Sequence, residues 1–107
     1  MWKVVFYRDR HGKCPPMEFI GGLPTIDQVK VYNEIRFLME FGIQLGMPHA
    51  RPIMGKLWEL RPSGIRLFYF ANTNRQFVIL HGYRKQTIRA PEREIALRRM
   101  EEFLSEV

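Results

Sequence analysis

Three short strand-like runs separated by two tight turns fill the centre and second half of the chain, and they limit its fold more than any other feature. "LWEL" (Leu57–Leu60), "IRLFYFA" (residues 65–71) and "QFVILHGY" (residues 76–83) are rich in β-branched and aromatic residues. Each is too short for a stable helix. Between them stand "RPSG" and "NTNR", built from residues that favour turns. Connections this short make consecutive strands antiparallel neighbours, so a three-stranded meander is expected. In the first turn Pro62 suits the first turning position, and Gly64 suits the left-handed residue of a type I turn with a bulge.

The flanking segments supply the other layers. "WKVVFY" (residues 2–7) reads as a further strand, closed by the charged turn "RDRHGK". "PPMEFIGGLP" suits a short helix opened by Pro15 and Pro16 and stopped by Gly21 and Gly22. Thr25 and Gln28 form a capping-box pair, introducing a helix that runs to about Gly42–Gly46. Val31, Ile35, Leu38 and Leu45 form its core stripe, and Asp27, Lys30 and Glu34 mark a wet side. Val29, Tyr32, Phe37 and Phe41 widen the apolar surface beyond one face. A helical hairpin packed on both the sheet and its neighbour helix ranks first as the explanation, ahead of a partner-binding patch. "GMPHARPIMG" reads as a Pro-containing loop, and "APEREIALRRMEEFLSE" as a helix with Pro91 at its first position. On that helix Ala96, Met100, Phe103 and Leu104 share a face. The order β-α-α-β-β-β-α defines an α+β fold. It expects a small antiparallel sheet, the N-terminal strand plus the meander, packed by an N-terminal helical pair and a C-terminal helix.

At 107 residues the chain is expected to form one domain, 1–107. Its longest uncharged stretch is broken by two Gly and a Pro, so no membrane span is expected. The N-terminus becomes charged too early for a signal peptide, which makes the cytoplasm the expected location. One cysteine and three scattered histidines form no disulfide framework and no zinc motif, so neither a metal nor another cofactor is expected.

The net charge of +6 is concentrated. Lys56, Arg61, Arg66, Arg75, Arg84, Lys85 and Arg89 face Glu59 alone between residues 56 and 91, and the rest of the chain is neutral. Such a region fits a phosphate-bearing partner or simply a solvated basic face. The meander adds geometry. Arg66 opens one strand and Arg84 ends the next, so antiparallel pairing brings both to one edge of the sheet. Two guanidiniums there could clamp a phosphate and stabilise its transition state, at about 2.7–4 kcal/mol per aligned donor. Tyr83 and His81 could stack on a base or move a proton. The plainer alternatives are a hydrogen-bonded core histidine, a packing tyrosine, and Arg61 and Arg75 merely solvated beside turns. Phe77, Ile79, His81 and Tyr83 share one strand face and Val78, Leu80 and Arg84 the other, unless a bulge at Gly82 reverses the parity.

"LWELRPSGIRLFYFA" followed by "VILHGYRKQTIRAPEREI" resembles the RelE/HigB toxin superfamily, in particular its phage-derived Gp49-like, HigB-type branch. The likeness follows element order from about Val4 to Leu104 and is specific from Lys56 to Ile95. It implies a RelE/ParE-like fold and the toxin of a type II toxin–antitoxin system. Such a toxin is a metal-independent, ribosome-dependent mRNA endonuclease that uses the RNA 2′-OH as nucleophile. The implied partners are the ribosomal A site with its mRNA and a cognate helix-turn-helix antitoxin of the HigA-like kind. The family's arginine pair falls on Arg66 and Arg84. Lys85 stands as a further catalytic candidate, and Lys56, Arg61, His81, Tyr83 and Arg89 as RNA- or phosphate-binding ones. The pattern also departs from the family. Its lysine pair falls on Leu57 and Glu59, and a motif tyrosine falls on Ala90, which leaves the general base unassigned. A gyrase poison of the ParE kind and a non-catalytic nucleic-acid-binding module are the competing expectations.

Overall fold

The structure, a computed structural model, describes residues 1–73, 75–85 and 91–106. The elements are β1 (Lys3–Phe6), α1 (Pro15–Gly21), α2 (Thr25–Phe41), a 3-10 turn (Gly42–Gln44), β2 (Ala50–Met54), β3 (Leu57–Leu60), β4 (Ile65–Asn72), β5 (Gln76–Arg84) and α3 (Pro91–Ser105). The strands form one five-stranded sheet in the order β1-β5-β4-β3-β2. The meander is present with β3 where expected, and β4 and β5 each run one residue beyond their expected ends.

Two features correct the expected small antiparallel sheet. β1 lies parallel to β5, so the sheet is mixed. The chain between β1 and β5 contains two helices and three strands, which leaves ample length for the return that a parallel pair requires. The segment read as a loop also contains β2, which pairs antiparallel with β3 through Ala50↔Leu60 and Arg51↔Glu59. Its Pro52 conceals the strand in the sequence. Proline is tolerated there because β2 is an edge strand.

The sheet divides the core into two. On one face Ile65, Leu67, Tyr69, Phe77 and Ile79 pack against α1 and α2 through Ile20, Val31, Ile35 and Leu38. On the other, Leu57, Phe68, Phe70, Val78 and Leu80 pack against α3 through Ala96, with Leu97, Met100 and Phe103 partly buried. Leu104, expected on that face, is exposed.

Local details depart from expectation for identifiable reasons. Pro24, not Thr25, is the N-cap of α2, and no side-chain cap forms. Gln28 instead donates its amide to the carbonyls of Leu23 and Gly21, which ties the α1–α2 link to the helix. The apolar widening of α2 is not covered by a hairpin partner. Val29, Tyr32, Phe37 and Phe41 are exposed, because the seven residues of α1 are too few to shield a second face of a 17-residue helix. In the first meander turn Ile65 N–H bonds the Pro62 carbonyl. Ser63 rather than Gly64 takes the positive φ, at 54°.

Glycine is required where α1 meets β5. A Cβ on Gly82 would stand 2.5 Å from the Phe19 ring and 2.9 Å from Leu67, so the bare backbone sets how closely α1 approaches the sheet.

A cationic sheet face around a buried glutamate

The face of the sheet on which α3 packs carries two rows of functional side chains. Register gives the first as Arg51–Glu59–Phe68–His81, across β2, β3, β4 and β5. The second has Arg66 opposite Tyr83, with Arg61 just beyond the Leu60↔Leu67 pair. Side chains two apart on a strand share a face, so the rows lie side by side.

A shift in strand parity makes this possible. Tyr69 pairs with Ile79 but Phe68 pairs with His81, so Leu80 is an extra residue in β5. The bulge lies at Leu80, two residues before Gly82. It turns His81 and Tyr83 onto the face of Val78 and Leu80, and Arg84 onto the opposite one. There Arg84 stands 3.9 Å from Asp27 at the start of α2 and is about half exposed. Arg66 and Arg84 are therefore diagonal neighbours at one end of the sheet, but their side chains leave it from opposite faces.

Glu59 is the centre of the site. It is 1% exposed, although it is the only acid in the basic third of the chain. Arg51 Nε donates to its Oε1 at 3.0 Å, and Tyr83 donates its hydroxyl to Oε2 at 2.9 Å. The Nε atoms of Arg66 and Arg61 lie 3.9 and 4.0 Å from Oε1. A buried carboxylate is tolerated only when charge and hydrogen bonds compensate its lost hydration, and here three guanidiniums and a phenol do so. The reverse also holds, since Glu59 allows three arginines to share a small area.

Arg66 is held most rigidly. Its Nη1 donates to the carbonyls of Ser63 at 2.7 Å and Ile65 at 2.8 Å, which locks the first meander turn to the site. Burial lowers the pKa of its guanidinium from the ordinary value. Neighbouring Arg61 adds to this, while Glu59 opposes it. Tyr83 is pushed up to about 12, first by burial and then by its bond to Glu59, so it remains a donor at neutral pH. Arg61 is not merely solvated. Its Nε is buried without a hydrogen-bond partner among the described residues, and its Nη1 rests 3.2 Å from the Met47 sulfur.

His81 takes the plainer of its two expected roles. Its Nε2 meets Glu92 at 2.9 Å, and its Nδ1 lies 3.2 Å from Arg99 Nη1. An arginine only donates, so Nδ1 accepts and Nε2 carries the proton toward Glu92. The imidazole is neutral in this arrangement. Burial holds its pKa below the usual value, and Glu92 only partly offsets that. The rings of His81, Phe68 and Tyr83 stack in a cluster, with Phe68 and Tyr83 centroids 5.5 Å apart.

The remaining candidates divide. Lys85 is exposed just past β5, with its N–H on the Gly64 carbonyl at 2.8 Å, at the Arg66 end of the sheet. Lys56 precedes β3 at the other end and lines a pocket on the α2 side. Arg89 lies outside the described residues, as does Ala90. Sequence reasoning missed Glu59, Arg51, Glu92 and Arg99. Only Glu59 left a signal, as a lone acid alternating with core residues in a basic region.

An α+β domain with a mixed sheet and a basic face organised by one buried acid is compatible with the toxin fold implied by the sequence. A family model, "Phage derived protein Gp49-like (DUF891)", matches residues 18–101. The chain belongs to this family, which is of the RelE/HigB toxin type and associated with toxin–antitoxin systems. That membership points to an antitoxin as its partner. No curated protein matches the chain. Among the described residues no helix is long and apolar enough to cross a membrane.

Proposed function

We propose that the chain is a HigB-type endoribonuclease that cleaves mRNA at the ribosomal A site and is neutralised by a HigA-like helix-turn-helix antitoxin. The observation that carries this reading is Glu59, buried among Arg51, Arg61, Arg66 and Tyr83. In the proposed reaction Glu59 takes the proton of the RNA 2′-OH. The 2′-oxygen then bonds to the adjacent phosphorus and the bond to the 5′-oxygen breaks, leaving a cyclic phosphate and a 5′-OH. Glu59, which stands at one position of the family's lysine pair, thus fills the place of the base left unassigned by the sequence.

Access to Glu59 runs through Arg51, whose side chain is half exposed. A substrate phosphate competes for that guanidinium and frees Oε1 to accept a proton. Arg66, fixed by its two carbonyl bonds, stabilises charge on the phosphate oxygens. Arg84 tracks the RNA around the sheet end from the other face. Lys85 is the proposed donor to the departing 5′-oxygen, Tyr83 and Arg61 shape the phosphate contacts, and His81 supports Tyr83 from within the ring cluster. Arg89 and Lys56 contribute to long-range attraction of RNA.

Inducing the chain without an antitoxin and mapping RNA ends on a translated reporter tests the reading. Cleaved mRNA with 5′-OH ends is expected. Glu59→Gln keeps the shape of the side chain and should lower cleavage about 100-fold or more, the scale of a lost general base. Growth arrest with intact mRNA and damaged DNA would instead establish the gyrase-directed alternative. A folded Arg66→Ala/Arg84→Ala double variant that remains fully toxic would also overturn the proposal.

A further inference from the structure

On the face opposite Glu59, and at the other end of the sheet, lies a pocket of about 250 Å³ lined by Ile43, Lys56, Trp58, Tyr69, Ala71 and Phe77. Of its lining only Lys56 enters the proposed function, through long-range attraction of RNA, and no step of the proposed reaction takes place in the pocket. Trp58 pairs with Tyr69 across β3 and β4, and Tyr69 meets Phe77 edge-on at 5.5 Å. The walls are therefore rigid aromatic rings on paired strands. Trp2 stacks on Phe77 at 4.4 Å, with the Arg75 guanidinium 5.3 Å from the Trp2 ring centre. Among the lining residues Lys56 supplies the only charge, and it is exposed.

Exposed apolar side chains also stand close by in the chain. Ile43 is 69% exposed, and Phe41 and Phe37 are exposed along the C-terminal turns of α2. These are the side chains that no second helix covers. A rigid aromatic pocket beside an exposed apolar strip, with a cation at its rim, has the anatomy of a site for one anchoring side chain.

We infer that this pocket docks an acidic amphipathic segment of a partner protein, with a large apolar side chain among Trp58, Tyr69 and Phe77 and a neighbouring carboxylate on Lys56. Charge complementarity selects that occupant, because an apolar floor with a basic rim favours an anchor flanked by acids over one flanked by cations. The antitoxin is the natural bearer of such a segment, and only that identity rests on the toxin reading. The site's position has a consequence for inhibition. A segment bound here leaves the Glu59 face uncovered, so the antitoxin would not plug the reaction site through this contact.

The test uses the whole chain and a synthetic blocked hexapeptide with a central Phe-Leu pair flanked by two acidic residues on each side. Binding is read from the Trp58 indole signal in ¹⁵N–¹H spectra. Saturable movement of that signal is expected. Ala71→Trp, which fills the pocket from an exposed strand position, should abolish it while cleavage by the chain stays unchanged. Lys56→Glu should weaken binding about tenfold. Any of these results with peptide would overturn the inference: a lysine-flanked peptide binding equally well, Ala71→Trp binding undiminished, or the acidic peptide shifting Tyr83 instead of Trp58. Concentration-dependent self-association that perturbs Trp58 without peptide would assign the surface to a second copy of the chain and also overturn it. Because peptide binding is read apart from cleavage, failure here is distinguishable from failure of the nuclease proposal.

Discussion

At the residue scale, Glu59 links stability to function. Removing its charge leaves Arg51, Arg61 and Arg66 repelling one another around a buried site. Glu59→Ala should therefore destabilise the fold by about 3 kcal/mol, measured by urea unfolding, at the low end for a broken buried pair because Arg51 is half solvated. Glu59→Gln should lose less stability, since the amide can still accept from Tyr83. His81 adds a pH effect. Its folded pKa lies below the unfolded value near 6.5, so the unfolded chain binds the extra proton first as pH falls. This contribution is complete above that value and declines as pH drops toward the folded pKa. The melting temperature should therefore fall on acidification through this window, and His81→Gln should flatten that part of the profile. Glutamine can still donate to Glu92 and accept from Arg99, so the change isolates the titration.

At the element scale, the contact of α1 with β5 depends on a missing side chain. Gly82→Ala forces a methyl into Phe19 and Leu67, and should lower stability by about 1–3 kcal/mol in chemical denaturation. Because Tyr83 adjoins Gly82, the same change should loosen the Tyr83–Glu59 bond, visible as weaker RNA binding by the folded protein. The bulge at Leu80 matters equally. Were the same residues paired in regular alternation without the bulge, His81 and Tyr83 would point toward α1 and α2, and the ring cluster over Phe68 would not exist.

At the scale of the whole molecule, charge is arranged asymmetrically over the two faces. Arg51, Arg61 and Arg66 converge on one face, while the α2 side presents aromatic surface with Lys56. With about three phosphates neutralised on single-stranded RNA, affinity should fall about 20-fold between about 50 and about 200 mM salt. Filter binding across a salt series checks this. Arg51→Ala should make the slope shallower, whereas Ala71→Trp should leave it unchanged.

The sequence by itself determined the meander, the three helices and the concentration of cations, because these follow from short-range signals. β-branched runs bounded by turn residues leave few alternatives, and the 3.6-residue stripe of Val31, Ile35 and Leu38 marks a buried face. It also placed Arg66 and Arg84 at one end of the sheet, since a hairpin fixes the neighbours of its ends. Tertiary structure decided the rest. β2 exists because β3 offers an edge to pair with, despite Pro52. One extra residue in β5, invisible to a period-two reading, separates Arg84 from Arg66 and brings Tyr83 to Glu59. Glu59 looked like a departure from a basic pattern. A carboxylate's role depends on which charges surround it, and those cations arrive from β2, from the end of β3 and from β4 only when the sheet is assembled.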